Sequence, residues 1–177
     1  YIKKNCTNKN SSSNYEFEDI DGHGTACSGI ICEMTLQNVK ILPIRIMYKD
    51  KNGDTTSTAS AEMLAYDYVI KMKKKYNIVA VNMSYGTKSS IFDGINAEKI
   101  KKIYNSGVLL ITSAGNECCN VKDNFPANVD CVITVSALSN EVSGLSFSDD
   151  YSNFGKGVDV CAPGTSIYCI SNVGPNS

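Results

Sequence analysis

The segments IVAVNMSYG, at residues 78–86, and GVLLITSAGNE, at residues 107–117, indicate most directly which fold the sequence favours. Each begins with an apolar run and ends in small and polar residues. The charged segment at residues 96–104 has helical spacing, and three isoleucines are predicted to face inward: Ile95, Ile100 and Ile103. Runs that are apolar throughout are typical of strands buried on both faces of a parallel sheet, with right-handed helical crossovers between them. The sequence therefore predicts a β-α-β unit.

The same alternation continues on both sides of this unit. Upstream, residues 39–47 predict a strand, and residues 59–72 place apolar side chains at helical spacing. Three short downstream runs predict further strands: residues 132–137, 158–161 and 167–170. The predicted fold class is α/β. No repeat or linker divides the chain, so we expect a single domain, with a polar loop or terminus at residues 1–17 and a core at about residues 18–172.

Length, composition and charge exclude several classes of protein. The chain has 177 residues, 42% of them hydrophobic, which suits one globular domain. Its 17 basic and 18 acidic residues include one arginine, Arg45, and lack the clustered positive charge that nucleic-acid binding requires. A membrane span takes about 20 consecutive apolar residues, and the runs here are much shorter. We expect a soluble protein with no nucleic-acid partner and no membrane span.

Cysteine usage favours an oxidising compartment. Eight cysteines are many for a reducing cytosol, and their even number permits up to four bridges. A zinc finger or ribbon is disfavoured because no two cysteines have C-x-x-C spacing and His23 is the only histidine. The chain begins at Tyr1 with no basic and apolar leader, so we expect any export signal to have been removed or to lie outside it. We therefore predict a protein that is secreted or lies in the secretory pathway.

Two side chains are candidates for chemistry. His23 lies between two glycines at a predicted helix start, where a ring that titrates near neutrality has room for a substrate and a nucleophile; a surface or core histidine is the alternative. Asn116 follows an apolar strand, at the carboxyl end where reactive groups collect in parallel sheets. It is either a turn residue or a donor to a developing oxyanion. Residues 84–86 are likewise either a turn or a strand end that pairs with an extended peptide.

Four motifs, in this order, resemble those of the subtilisin-like serine proteases: GHGT at residues 22–25, VNMSYG at 81–86, SAGNE at 113–117 and APG at 162–164. The resemblance extends from about residue 18 to residue 172. It implies a three-layer α/β/α sandwich with a mostly parallel sheet, here incomplete at both ends. It also implies a serine endopeptidase that needs no cofactor for catalysis, with a peptide or protein substrate and its own propeptide as partners.

The resemblance implies a role for each matching residue. His23 would be the triad base, which takes the proton of the nucleophilic serine and later protonates the leaving amine. Asn116 would donate a hydrogen bond to the oxyanion. The two walls of the substrate cleft would be Ser84, Tyr85 and Gly86 on one side and Ser113, Ala114 and Gly115 on the other.

The chain also departs from the family. The triad order is Asp, His, Ser, and the aspartate is expected before Tyr1, because Asp19 and Asp21 are too close to His23 and are expected on a solvated turn. The serine motif Gly-Thr-Ser-Met-Ala is expected after Ser177, and Ser166 is a decoy within Gly164-Thr165-Ser166. We therefore expect the 177-residue chain alone to be inactive. The short segment between Gly29 and Val39 leaves no room for the family's calcium loop, and any other structural calcium has no ligands assigned here.

Cysteines near the implied cleft suggest bridges. One from Cys118 or Cys119 to Cys131 would close a loop of about a dozen residues, which contributes roughly 3 kcal/mol in the chain-entropy model. Cys161 and Cys169 are a second candidate pair. Two other functions stay open at this stage: an inactive subtilisin-like module that binds peptides or protein partners, and a nucleotide-binding α/β domain. The second is disfavoured because no glycine-rich phosphate loop follows the first strand.

Overall fold

A computed structural model describes residues 19, 21–88, 93–141, 144–148 and 150–172. The predicted polar tract at residues 1–17, which includes Cys6, lies outside them. The chain divides into two compact units, one formed by residues 1–45 and 170–177 and the other by residues 46–169. The first unit contains one helix, α1 (His23–Met34), which begins at the glycine-flanked histidine as the sequence predicts.

The second unit contains two long helices, α2 (Ala59–Tyr76) and α3 (Asp93–Asn105), and a short 3-10 helix at Val121–Asp123. Its strands, in chain order, are β1 (Tyr48–Lys49), β2 (Thr55–Thr56), β3 (Ala80–Met83), β4 (Thr87–Lys88), β5 (Leu109–Ser113), β6 (Asn124–Phe125), β7 (Ile133–Glu141), β8 (Gly144–Phe147) and β9 (Val160–Pro163). Within the described ranges, no helix combines the length and apolar character that a bilayer crossing needs.

Five strands form the main sheet, in the order β3-β5-β7-β8, with β9 also paired to β7. The pairs β3–β5, β5–β7 and β7–β9 are parallel, and only β8 runs antiparallel to its neighbour β7. The helix α3 connects β3 to β5. Met83 lies beside Thr112, so the carboxyl ends of β3 and β5 meet at the same edge of the sheet. The predicted β-α-β unit and the α/β class are confirmed.

The core of this unit lies between the helices and the sheet. It contains Tyr66 and Val69 from α2, Ile100 and Ile103 from α3, and Met83, Val108, Leu110, Phe125, Val129 and Val132 from the sheet and the segments beside it. Apolar side chains at these positions are removed from water on folding, which is the main favourable contribution to stability. This packing fixes α3 against the strands that it connects.

Several predicted elements differ in the structure. The strand predicted at residues 39–47 is absent, and only the two-residue strand β1 follows it; residues 167–170 are also irregular. Both segments are apolar, but a strand needs a neighbour for its main-chain hydrogen bonds, and none of the described strands pairs with them. The prediction that Ile95 faces inward is wrong: it is 61% exposed, because the buried face of α3 carries Asn96, Ile100 and Ile103, and Ile95 lies off that face.

We predict that Ile103→Ala lowers the free energy of unfolding by about 2 to 5 kcal/mol, because it opens a cavity in a core that cannot fully collapse. Ile103 is fully buried, whereas Ile95 on the same helix is 61% exposed. Ile95→Ala is therefore the matched control, with a change within about 0.5 kcal/mol. Equilibrium urea unfolding measures both. Equal effects of the two substitutions would contradict the assigned core.

Candidate active site

A cavity of about 120 Å³ opens where β3 and β5 end. It is lined by Ser84, Tyr85, Gly86, Ser113, Ala114, Gly115, Asn116, Glu117, Asn124, Phe125 and Ala127. The structure thus brings together Asn116 and all six residues that the sequence implied for the two cleft walls. The parallel pairing of β3 with β5 explains this proximity, because both segments leave the sheet at the same edge.

Asn124 and Phe125 of β6 also line the cavity, and we call this part of its lining the floor. The short strand β6 pairs antiparallel with β4, so that Thr87 lies beside Phe125. Asn124 and Phe125 are buried there. A Cβ atom added at Gly86 would lie 3.1 Å from the carbonyl oxygen of Phe125, so a larger residue at this position would push the wall and the floor apart.

Gly115 places Asn116 at the cavity. Its φ is +103°, a left-handed conformation that side chains rarely adopt. An added Cβ would lie 2.4 Å from Asn153 Nδ2 and 2.6 Å from Glu117 Oε2. The backbone N–H of Asn116 donates to Glu117 Oε2 at 3.0 Å. Asn116 is exposed and lines the cavity, while its main-chain donor is engaged in this way.

Glu117 accepts three hydrogen bonds at one oxygen. Besides the Asn116 N–H, Oε2 accepts from Asn124 Nδ2 at 2.8 Å and from Asn153 Nδ2 at 2.7 Å. Partial burial raises the pKa of the Glu117 carboxyl, but the donors, with Asn153 first among them, outweigh this effect and lower the pKa below its usual value. The group is therefore a carboxylate at neutral pH, and its charge is directed toward the asparagines.

Tyr85 connects one cleft wall to helix α2. Its hydroxyl lies 2.9 Å from the hydroxyl of Tyr66, which is buried in the core. Burial raises the pKa of Tyr85 to about 12 and that of Tyr66 well above its ordinary range. Both phenols therefore stay neutral at physiological pH, and their hydrogen bond fixes the orientation of the wall.

His23 is the first residue of α1 and is exposed. Its Nε2 lies 3.7 Å from the Sγ of Cys27, one turn along the same helix. The roles implied for His23 and Asn116 require both side chains at one site; because the two residues belong to different compact units, this stays a prediction. Likewise, the catalytic role of each residue rests on the sequence resemblance.

Asp19 caps the turn before His23. Its Oδ2 accepts from the Thr25 N–H at 2.8 Å and from the Thr25 hydroxyl at 2.7 Å, and its Oδ1 accepts from the Gly22 N–H at 2.9 Å. Burial raises the pKa of Asp19, but these bonds outweigh it, with the Thr25 hydroxyl first, and hold the pKa at about 2. Asp19 is partly exposed on the turn before α1, and both of its oxygens also bind the start of that helix. Asp21 is exposed, as expected.

The predicted disulfide bridges are not formed in the structure. Cys119, Cys131, Cys161 and Cys169 each carry a free thiol, so neither the bridge to Cys131 nor the Cys161–Cys169 bridge is present. In addition, no group of three or more His, Cys, Asp or Glu side chains within the described ranges is arranged to hold a metal ion.

The Ser166 decoy lies on an irregular bend after β9, not at the start of a helix. Thr165 beside it hydrogen-bonds to the hydroxyl of Tyr151 at 2.9 Å. The three side chains that sequence reasoning missed are Glu117, Asn124 and Asn153. Glu117 and Asn124 line the cavity, and Asn153 does not line it but binds Glu117 from 36 residues further along the chain. All three are polar, and no periodicity marks such residues.

We predict a pH-dependent effect of Glu117→Gln on stability. The folded-state pKa of Glu117 is lowered, so its contribution is fully present above the unfolded pKa of about 4.3 and is lost as the pH falls through the folded pKa. The difference in unfolding free energy between wild type and variant should therefore be constant from about pH 6 to pH 8 and shrink below about pH 4. Urea unfolding at a series of pH values measures it. Glu98→Gln, on the surface of α3, controls for the loss of one charge, and a difference independent of pH would contradict the assigned hydrogen bonds.

Comparison with known proteins identifies the family of this chain. The family model described as the subtilase family, Peptidase S8, matches residues 1–177. Alkaline protease 1 of Aspergillus flavus is 33% identical over 153 residues, which cover 84% of this chain and 36% of the relative. Subtilisin-like protease 3 of Saccharomyces cerevisiae is 30% identical over 165 residues, which cover 88% of this chain and 32% of the relative.

The solved structures agree with the sequence matches. The crystal structure of a cold-adapted subtilisin-like serine proteinase aligns with a TM-score of 0.72 at 28% identity, covering 88% of this chain and 53% of the other. The chain spans about a third of the length of the curated relatives named above. Since the family model matches every residue and the fold agrees, the chain belongs to the subtilase family.

Proposed function

We propose that the full-length protein containing this chain is a serine endopeptidase that hydrolyses peptide bonds by a Ser-His-Asp mechanism. The observation that supports this most strongly is the cavity at the ends of β3 and β5. There, the two walls at residues 84–86 and 113–115 lie beside Asn116, whose backbone N–H is already engaged. A hydrogen-bond donor beside a cleft for extended peptide can stabilise the oxyanion that forms in the transition state of acyl transfer.

In the proposed reaction, an extended peptide lies between the wall of residues 84–86 and the wall of residues 113–115. His23 takes the hydroxyl proton of a serine as the serine oxygen attacks the peptide carbonyl. The Asn116 amide donates to the oxyanion that develops, and His23 then protonates the leaving amine. Water repeats the cycle on the acyl-enzyme and releases the second product. These steps use side chains and water and need no cofactor.

The serine and the aspartate of this mechanism are proposed to come from parts of the full-length protein outside these 177 residues. We propose that this chain by itself is inactive, which is consistent with the absence of Gly-Thr-Ser-Met-Ala from its sequence and with the position of Ser166 on a bend. The protein's own propeptide is a further candidate occupant of the cleft, because it would offer the same extended backbone as a substrate.

The alternative is an inactive module that binds peptides. It is favoured by one observation: the two walls and the floor of the cavity are complete within this chain. Passage through the secretory pathway is also part of the proposal and is supported by the cysteine content. Disulfide formation there would require pairing of thiols that the structure has free.

We predict that His23→Ala abolishes turnover in the full-length protein and that Asn116→Ala lowers kcat by about 10²- to 10³-fold with little change in KM. That magnitude was measured in subtilisin, a relative of this chain, and is adopted for it. Asn105→Ala, at the exposed end of α3, is the matched control and should leave kcat unchanged. Hydrolysis of a chromogenic peptide measures all three. Unchanged turnover after His23→Ala would overturn the proposed mechanism.

A fluorophosphonate probe distinguishes the enzyme from the inactive module. Because the probe reacts only with an activated serine, we expect the full-length protein to be labelled and the 177-residue chain to remain unlabelled. Mass spectrometry of the peptides locates the label. Absence of labelling in the full-length protein would favour the peptide-binding module, and labelling of Ser166 would refute the assignment of the nucleophile to another segment.

A further inference from the structure

One buried side chain organises the loop that carries Asn116. Asn153 has no solvent exposure and lies 37 residues further along the chain. Its Oδ1 accepts from the backbone N–H groups of Glu117 at 3.0 Å and Cys119 at 2.9 Å. Its Nδ2 donates to the carbonyl of Ala114 at 2.9 Å and to Glu117 Oε2 at 2.7 Å. The side-chain amide thus uses both of its donor hydrogens and both acceptor positions on one loop.

The backbone of Asn153 binds the same loop. Its N–H donates to the carbonyl of Gly115 at 3.0 Å, next to the left-handed turn at that glycine. Glu117, which Asn153 holds, accepts in turn the N–H of Asn116. The peptide groups before, at and after Asn116 are therefore fixed directly or through one carboxylate. Asn116 itself lines the cavity.

From this arrangement we propose that Asn153 is a positioning residue, which acts through Glu117 to hold the Asn116 amide at the place where the oxyanion forms. This proposal rests on the function proposed above. Because Asn153 is fully buried, it cannot touch a substrate, and it should affect the transition state while leaving substrate binding unchanged. Misplacement of a catalytic group by about 1 Å costs roughly 10²-fold in rate, which makes such an indirect effect measurable.

The decisive variant is Asn153→Asp in the full-length protein. It has nearly the same shape and keeps an acceptor for the Glu117 and Cys119 N–H groups, but an oxygen replaces the NH₂ group that donates to both the Ala114 carbonyl and Glu117 Oε2. We expect kcat to fall by about 10- to 100-fold while KM changes less than about twofold. Asn105→Asp, an exposed asparagine on α3, is the matched control and should leave both constants unchanged.

A double-mutant cycle with Asn116→Ala separates positioning from a general structural role. If Asn153 acts through Asn116, Asn153→Asp should change kcat less than about twofold once Asn116 is alanine. A loss of kcat that persists in full in that background would overturn the proposal. An unchanged kcat in Asn153→Asp, together with a lowered kcat in Asn116→Ala, would also overturn the proposal. In that case the proposed function would stand.

The same cycle reveals failure of the underlying function. If Asn116→Ala itself leaves kcat unchanged, the oxyanion role fails, and the positioning role fails with it. If Asn153→Asp does not fold, as judged by its circular dichroism, Glu117→Gln takes its place, because this side chain lies at the exposed edge and its loss disturbs packing little. A drop in kcat of a few-fold that vanishes in the Asn116→Ala background supports the proposal, and no drop overturns it.

Discussion

The register between β3 and β5 is the constraint on which the cavity depends. Met83 lies beside Thr112, and the Thr112 hydroxyl donates to the carbonyl of Met83 at 2.9 Å in the buried interior. Because side chains alternate along a strand, a slip of one residue would turn every inward side chain outward and separate the two cleft walls. The buried hydroxyl makes such a slip costly, since it would lose its acceptor in a region without water. A single buried hydrogen bond therefore fixes the spacing of residues that are about 30 positions apart in sequence.

The parts of the fold that could be predicted from the sequence are the apolar runs that form strands with a described partner. β3 and β5 each lie in such a run, but the prediction that these strands are buried on both faces is wrong within the described residues: in β5, Leu110 is 1% exposed and its neighbour Leu109 is 57% exposed. The apolar segment at residues 39–47 has the same character, yet it forms no strand, because composition says nothing about whether a partner is present. The exposed Ile95 shows the same limit for a helix: spacing predicts a face, and the neighbours of the helix determine whether that face is covered.

The candidate site, like the fold, could be predicted from the sequence only in part. Its walls were accessible to sequence reasoning because small residues follow directly after apolar runs and match a family pattern. The sequence did not reveal the roles of Glu117, Asn124 and Asn153, although Glu117 is the last residue of the SAGNE motif. The hydrogen-bond partners of a polar side chain are known only once the chain is folded. Asn153 in particular lies in a turn-rich segment, where asparagine is common and attracts no notice. Burial distinguishes Asn153 from an ordinary turn residue, because a fully buried amide needs hydrogen-bond partners, and the partners of this one all lie on the Asn116 loop.

The use of an amide at position 153 has a physical reason. A carboxylate beside the proposed oxyanion position would repel the negative charge that develops there, so donors that stabilise the Glu117 charge on the side of the asparagines reduce this repulsion. Three neutral N–H groups meet its Oε2, one from the Asn116 main chain and two from the side chains of Asn124 and Asn153, and they stabilise the carboxylate without cancelling its charge. A lysine at position 153 would neutralise Glu117, but it has no acceptor for the Glu117 and Cys119 N–H groups and would leave them unsatisfied in the interior. A side chain that both donates and accepts can fix this loop without adding a second charge in the interior.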